Sequence, residues 1–130
     1  MTIAKFKPET EFATPERCHI VELINLPEDA DCSIARARVQ PGVMTQLHSL
    51  RGLTERYVIV QGEGRIEIGD QMAGTVAPLD IVHIPAGVSQ RITNTGKADL
   101  IFLCICTPPF TPDVYVNLER KVIREGEKSD

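Results

Sequence analysis

Turn signals break this chain into runs too short for ordinary helices. Gln61-Gly-Glu-Gly64, Ile68-Gly-Asp-Gln71, Pro85-Ala-Gly87 and Asn94-Thr-Gly96 place glycine or proline between β-rich stretches. Glycine supplies positive φ, and proline presets φ for a turn. The runs between them predict strands at His19–Leu23, Ser33–Val39, Thr45–Ser49, Arg56–Gln61, Arg65–Ile68, Ile81–Ile84, Gln90–Asn94 and Leu100–Thr107. Ser33-Ile-Ala-Arg-Ala-Arg-Val39 alternates so that Arg36 and Arg38 share a face. Arg65-Ile-Glu-Ile68 puts Ile66 and Ile68 on the inner side. Helix signals are nearly absent; one helical turn is expected within Asp113–Glu119, after Pro112. Many short strands with Gly/Pro turns make an all-β antiparallel sandwich or barrel.

At 130 residues the chain is the size of one domain. Roughly two-thirds of its unfolded surface can be buried, so it needs no disulfide or metal staple. Fourteen basic and 18 acidic residues give a net charge of -4, which disfavours nucleic acid as a partner. No run is long and apolar enough for a membrane span, and no secretory leader pattern is seen, so a cytoplasmic location is expected. Cys18, Cys32, Cys104 and Cys106 are then expected as free thiols. Cys104 and Cys106 share a strand face, either as apolar fillers or as soft metal ligands. Residues 1–17 read as an N-terminal arm that packs on a neighbouring subunit. Residues 18–118 read as the barrel, and 119–130 as a charged, flexible tail.

His48 and Glu55 are the chemistry-bearing pair. If Thr45–Leu50 is extended, Gln46, His48 and Leu50 point to one face, and Glu55 opens the next strand toward the same interior. An imidazole and a carboxylate begin a site for Zn, Fe, Mn or Ni, and Gln46 can add a carbonyl oxygen. Catalytic metal sites commonly use three protein ligands, however. Leu50 stands where a second histidine would complete the set.

These spacings resemble the two cupin motifs. Gly42, His48, Glu55 and Gly62 match the first motif in register, with Leu50 in place of its second histidine. Pro85, Gly87 and Asn94 match the second. Leu79 stands at its opening glycine and Gln90 at its histidine. The chain further resembles small single-domain cupins labelled mannose-6-phosphate isomerase-like, through Thr54–Gly64, Gln90-Arg91 and Cys106–Phe110. The resemblance implies a double-stranded β-helix, the RmlC-like jelly roll barrel, that pairs as a homodimer. It also implies a metal set of His48, Glu55 and Gln90, with Gln46, Tyr57 and Gln90 available to a ligand.

The leading functional expectation is a cupin that binds a small molecule, with a sugar-related one as an option, beside a reduced and weakly held divalent-metal site. One alternative is a metal-dependent isomerase or dioxygenase. The other is a metal-free ligand-binding or scaffold protein, with the same residues forming a hydrogen-bonded polar cluster. Among the remaining candidates, strand parity turns His83 outward and sets Arg91 opposite Gln90. His19 reads as structural. Arg36 and Arg38 either meet an anionic substrate or lie on a solvated or interface face.

Overall fold

The computed structural model describes residues 1–70 and 72–119. Its strands are β1 (Phe12–Ala13), β2 (His19–Ile24), β3 (Ser33–Val39), β4 (His48–Leu50), β5 (Thr54–Gln61), β6 (Gly64–Ile68), β7 (Met72–Val76), β8 (Ile81–Ile84), β9 (Gln90–Asn94), β10 (Leu100–Thr107) and β11 (Tyr115–Asn117). They form two sheets, ordered β1-β2-β3-β10-β5-β8 and β11-β4-β9-β6-β7. Every pairing is antiparallel. This is the expected all-β jelly roll. Neither short 3₁₀ turn, Pro8–Thr10 or Pro112–Val114, buries a residue. Among the described residues no helix is long and apolar enough to cross a membrane.

Strand parity builds the core. Ala37 and Val39, Tyr57 and Ile59, Val82 and Ile84, and Leu100 and Phe102 point between the sheets from one side. Ile66, Val76 and Ile92 meet them from the other. Ile59 and Leu100 are 0% exposed. Full burial of such side chains contributes roughly 1.5–3 kcal/mol each. A smaller cluster of Leu50, Leu53 and Cys106 packs with Phe110, Val114 and Tyr115 at one end.

Four strands fall where the sequence places them: β3, β8, β9 and β10. β2, β5 and β6 run one or two residues longer than expected, and β1 is an added short strand; three further elements differ more. The expected strand Thr45–Ser49 contracts to His48–Leu50, because the preceding residues bond elsewhere. Thr45 N–H donates to the Ile92 carbonyl, and Gln46 N–H donates to the Glu16 carbonyl. The helical turn expected in Asp113–Glu119 is a 3₁₀ turn ending at Val114, followed by β11. Tyr115 and Val116 favour extended backbone, and β11 pairs with β4 through Tyr115↔Leu50 and Asn117↔His48. The weakly patterned β7, almost wholly exposed, has no counterpart in the sequence reading.

The N-terminal segment folds onto its own barrel. β1 pairs with β2, Phe12 opposite Ile20. Glu11 accepts hydrogen bonds from Arg36 and Arg38, and Arg38 also reaches Asp99. Arg36 lies 4.7 Å from the centre of the Phe6 ring. The Glu11 carboxyl is held below its ordinary range, chiefly by the Arg38 hydrogen bond. Of the segment expected as a tail, Glu119 packs on the barrel, while residues 120–130 lie outside the described residues.

Candidate functional site

Two short strands set the inner wall at one end of the barrel. His48 on β4 lies directly opposite Gln90 on β9. From the other sheet, Glu55 on β5 sits between Cys106 of β10 and Ile84 of β8, and Tyr57 between Cys104 and Val82. A cavity of about 740 Å³ opens here. Gln46, His48, Glu55 and Tyr57 line it, with Leu50, Phe102, Cys104 and Cys106. Gln90 is fully buried, is not among the lining residues, and accepts a hydrogen bond at Oε1 from the Tyr57 hydroxyl.

The His48 ring is oriented by its own strand. Nδ1 bonds the Gln46 carbonyl at 2.7 Å, so in the neutral ring Nδ1 carries the proton and Nε2 the free lone pair. Burial lowers the His48 pKa, against the Gln46 hydrogen bond that would raise it. The Tyr115 ring stacks on the imidazole at 4.8 Å, and its hydroxyl donates to Gln46 Oε1 at 2.6 Å. Gln46, named as a possible ligand group, is thereby tied to the wall through its side-chain oxygen.

Glu55 is buried, at 7% exposure. Its Oε2 receives a long contact from Cys106 Sγ at 3.6 Å, and Oε1 has no hydrogen-bond partner. Burial drives its pKa up to about 7, with the Gln90 side chain acting in the opposite sense.

Glu16 completes the site from outside the two motifs. Its carbonyl accepts the Gln46 N–H at 3.0 Å, which anchors the turn after β1 at the cavity mouth. Its carboxyl stands 3.9 Å from His48 Nε2. Burial and the neighbouring Glu55 charge raise its pKa to about 7. With His48 neutral the pair is not an ion pair. Beside Glu16, Arg17 donates to the Met44 carbonyl and makes two hydrogen bonds to Glu119, at 2.7 and 3.2 Å. Glu119 in turn accepts the Leu47 N–H. Segments from the two ends of the sequence thus meet over the mouth. Nothing local distinguishes Glu16 from the other charges of residues 1–17. The β-forming run Val114-Tyr-Val116 is the signal that could have pointed to Tyr115.

The other candidates lie elsewhere. His83 is exposed and pairs with Arg56 on the outer face. Arg91 bonds Glu67, also outside. Arg36 and Arg38 face outward into the Glu11 cluster. His19 sits on β2 opposite Arg38. All four cysteines are free. Cys18, Cys104 and Cys106 line the cavity, and burial pushes the Cys18 thiol up to about 12 and Cys104 well above its ordinary range. Such thiols are not thiolates at neutral pH.

The donor set does not meet the three-ligand requirement of an open metal site. His48 Nε2 carries a free lone pair, and Glu55 Oε1 is unpaired but enclosed. Gln90 Oε1 is occupied by Tyr57, and Leu50 packs as core. Among the described residues no group of three or more His, Cys, Asp or Glu side chains is placed to hold a metal ion.

Known proteins share this framework. The family described as cupin domain matches residues 35–106, more than half of the chain. An uncharacterised protein of Methanocaldococcus jannaschii is 31% identical over 109 residues, 82% of this chain and 84% of that one. An oxalate-binding protein of Thermotoga maritima is 35% identical over 71 residues. That match spans 55% of this chain and 58% of the relative, little more than half of either. The structure of a predicted oxalate decarboxylase from Thermotoga maritima superposes with a TM-score of 0.73 at 23% identity, over 82% of this chain and 99% of that one. At that identity the likeness is one of fold. With both motif regions inside the matched span, and the double-sheet barrel they predict in place, the chain belongs to the cupin family.

Proposed function

We propose that this cupin binds a small molecule directly through its side chains, in the cavity bounded by His48, Glu55, Tyr57 and Glu16. One observation carries the reading. The buried Glu55 carboxyl lines a cavity of about 740 Å³, and its Oε1 makes no hydrogen bond of good geometry within the protein. Buried polar atoms are seldom left unpaired, because an unmade bond costs about 1–3 kcal/mol. A ligand group seated on Glu55 recovers that cost. His48 Nε2 offers an acceptor nearby, while Tyr115, Phe102 and Phe110 supply apolar wall. A sugar-related ligand, with hydroxyls for the polar edge and a ring face for the aromatic wall, is compatible with this lining.

The competing reading is the reduced divalent-metal site: His48 and Glu55 with water, serving an isomerase or dioxygenase. It draws on the same two free donor atoms. Metal analysis of protein purified without chelator, followed by ligand screening with thermal-shift and NMR readouts, separates the two. Direct binding predicts hits that persist in chelator and weaken in His48→Ala and Glu55→Gln. Stoichiometric Zn, Fe, Mn or Ni that is lost in His48→Ala, with hits only in its presence, would establish the metal reading instead.

The homodimer implied by the family belongs to the same proposal. Val60 on β5, Leu79 in the turn before β8 and Ile81 on the edge strand β8 are 50%, 81% and 62% exposed. Light scattering is expected to give twice the chain mass. A monomer at micromolar concentration would remove this part.

A further inference from the structure

We infer that the ligand of this cavity is a small organic cation, one that carries a protonated amine or amidine group; this rests on the direct-binding reading above. The cavity is built with one sign of charge. Glu16, Glu22 and Glu55 are among its lining residues, and no lysine or arginine is among the described ones. Glu55 is 7% exposed and lines the cavity, and its enclosed Oε1 has no hydrogen bond of good geometry within the protein. The arginines nearest in sequence to these groups are engaged elsewhere. Arg17 is taken by Glu119 and the Met44 carbonyl, Arg36 and Arg38 by Glu11, and Arg56 by the Thr107 hydroxyl. His48, neutral with its proton on Nδ1, presents a lone pair to the mouth and so adds a second acceptor.

A buried carboxylate without a counterion is costly, and a carboxylate is an acceptor only. Its natural complement is a cationic N–H donor, which makes charge-assisted hydrogen bonds. The walls suit the rest of such a molecule. Tyr57 and Phe102 pack at 4.4 Å between ring centres, tilted by 38°, and Tyr115 stacks on His48, so aromatic side chains flank the acidic end. Aromatic faces also attract cations. A dicarboxylate such as oxalate would instead meet buried carboxyls with no described cation to offset them.

Two matched ligand series test the sign of charge at constant shape: benzylamine, benzyl alcohol and benzoate; and glucosamine, glucose and glucuronate. Binding is followed by protein NMR at pH 8 in chelator, on the full chain, up to tens of millimolar. The expected result is that at least one amine binds tenfold or more tightly than its neutral and anionic counterparts. Its signals should shift with residues of the cavity wall. Glu55→Gln and, separately, Glu16→Gln should each reduce that preference at least threefold. Glu16 is the less buried of the two carboxyls, so Glu16→Gln remains informative if Glu55→Gln folds poorly. Binding without preference for the amine, or a preference that survives both substitutions, overturns the cation assignment and leaves direct binding standing. If no member of either series binds, the cation assignment fails, and the direct-binding reading is decided by the ligand screen above.

Discussion

Glu55 and Glu16 both take up protons near pH 7, Glu55 through burial and Glu16 through burial and the charge of Glu55. An acid whose folded pKa lies above its unfolded value of 4.5 favours the folded state when protonated. That stability is whole below about pH 4.5 and is lost as pH rises through about 7. His48, with its pKa lowered by burial, works in the opposite sense and loses stability as pH falls below 6.5. Glu55→Gln keeps the shape and removes one ionisation. It is expected to raise stability at pH 8 by about 3 kcal/mol, counting 1.36 kcal/mol per pKa unit over the shift from 4.5 to about 7. Near pH 5 it should change little. Urea denaturation at the two pH values measures the difference, and an equal effect at both would uncouple Glu55 ionisation from folding. Leu50 shows why the missing histidine is not a vacancy. It is 4% exposed and packs with Leu53 and Cys106. Leu50→Ala should cost about 2–4 kcal/mol in the same assay.

The turns carry the motif residues, and their reasons are mechanical. Gly62 has φ +88, and a Cβ there would stand 2.8 Å from the Asp99 carbonyl oxygen. Asn94 donates to the Val39 and Ala98 carbonyls and accepts the Gly96 N–H, so it clamps the turn before β10. These positions are legible from spacing because backbone geometry demands their residue types. Leu79 confirms the register from the opposite direction. It stands where the motif has glycine, and it adopts φ +73 with its side chain 81% exposed. A left-handed leucine costs about 1–2 kcal/mol, part of which glycine returns as unfolded-chain entropy. Leu79→Gly is therefore expected to stabilise the chain by up to about 1 kcal/mol. Gly62→Ala should destabilise it by about 2 kcal/mol or more. Thermal unfolding of the two variants should move in opposite directions. If both lower the midpoint, the turn before β8 is not strained in solution.

Across the whole molecule, legibility divides between barrel and rim. Strand parity assigned Arg36, Arg38, His83 and Arg91 to outer positions or left that option open, and inward alternation brought His48, Glu55 and Tyr57 to one cavity. Glu16, Cys18 and Tyr115 were not assigned to the site, because they reach it from segments far apart in sequence with no short-range pattern of their own. Gln90 was placed on the correct strand, but its depth depends on the partner sheet, where Tyr57 claims its oxygen. The N-terminal segment is held chiefly by polar contacts at its start, through Glu11 on Arg36 and Arg38. Such ion pairs near the surface, with side chains 19–23% exposed, are worth little individually. Glu11→Ala should lower global stability by about 1 kcal/mol or less, yet speed proteolytic cleavage within residues 1–11 several-fold. Unchanged cleavage would mean that β1 pairing alone retains the segment.

The Arg17–Glu119 contact joins residues 102 positions apart, and Gln46 and Leu47 hydrogen-bond to the same two segments. Closing so long a loop carries an entropic cost that nearby strand pairs avoid. The rim of the cavity should consequently form late in folding and reopen before the barrel does. Amide protons of Gln46 and Leu47 would then exchange through a partial opening, while those of β5 and β10 wait for global unfolding. A ligand could enter by that same fluctuation, through a seam between the two ends of the chain, with the jelly roll itself left intact.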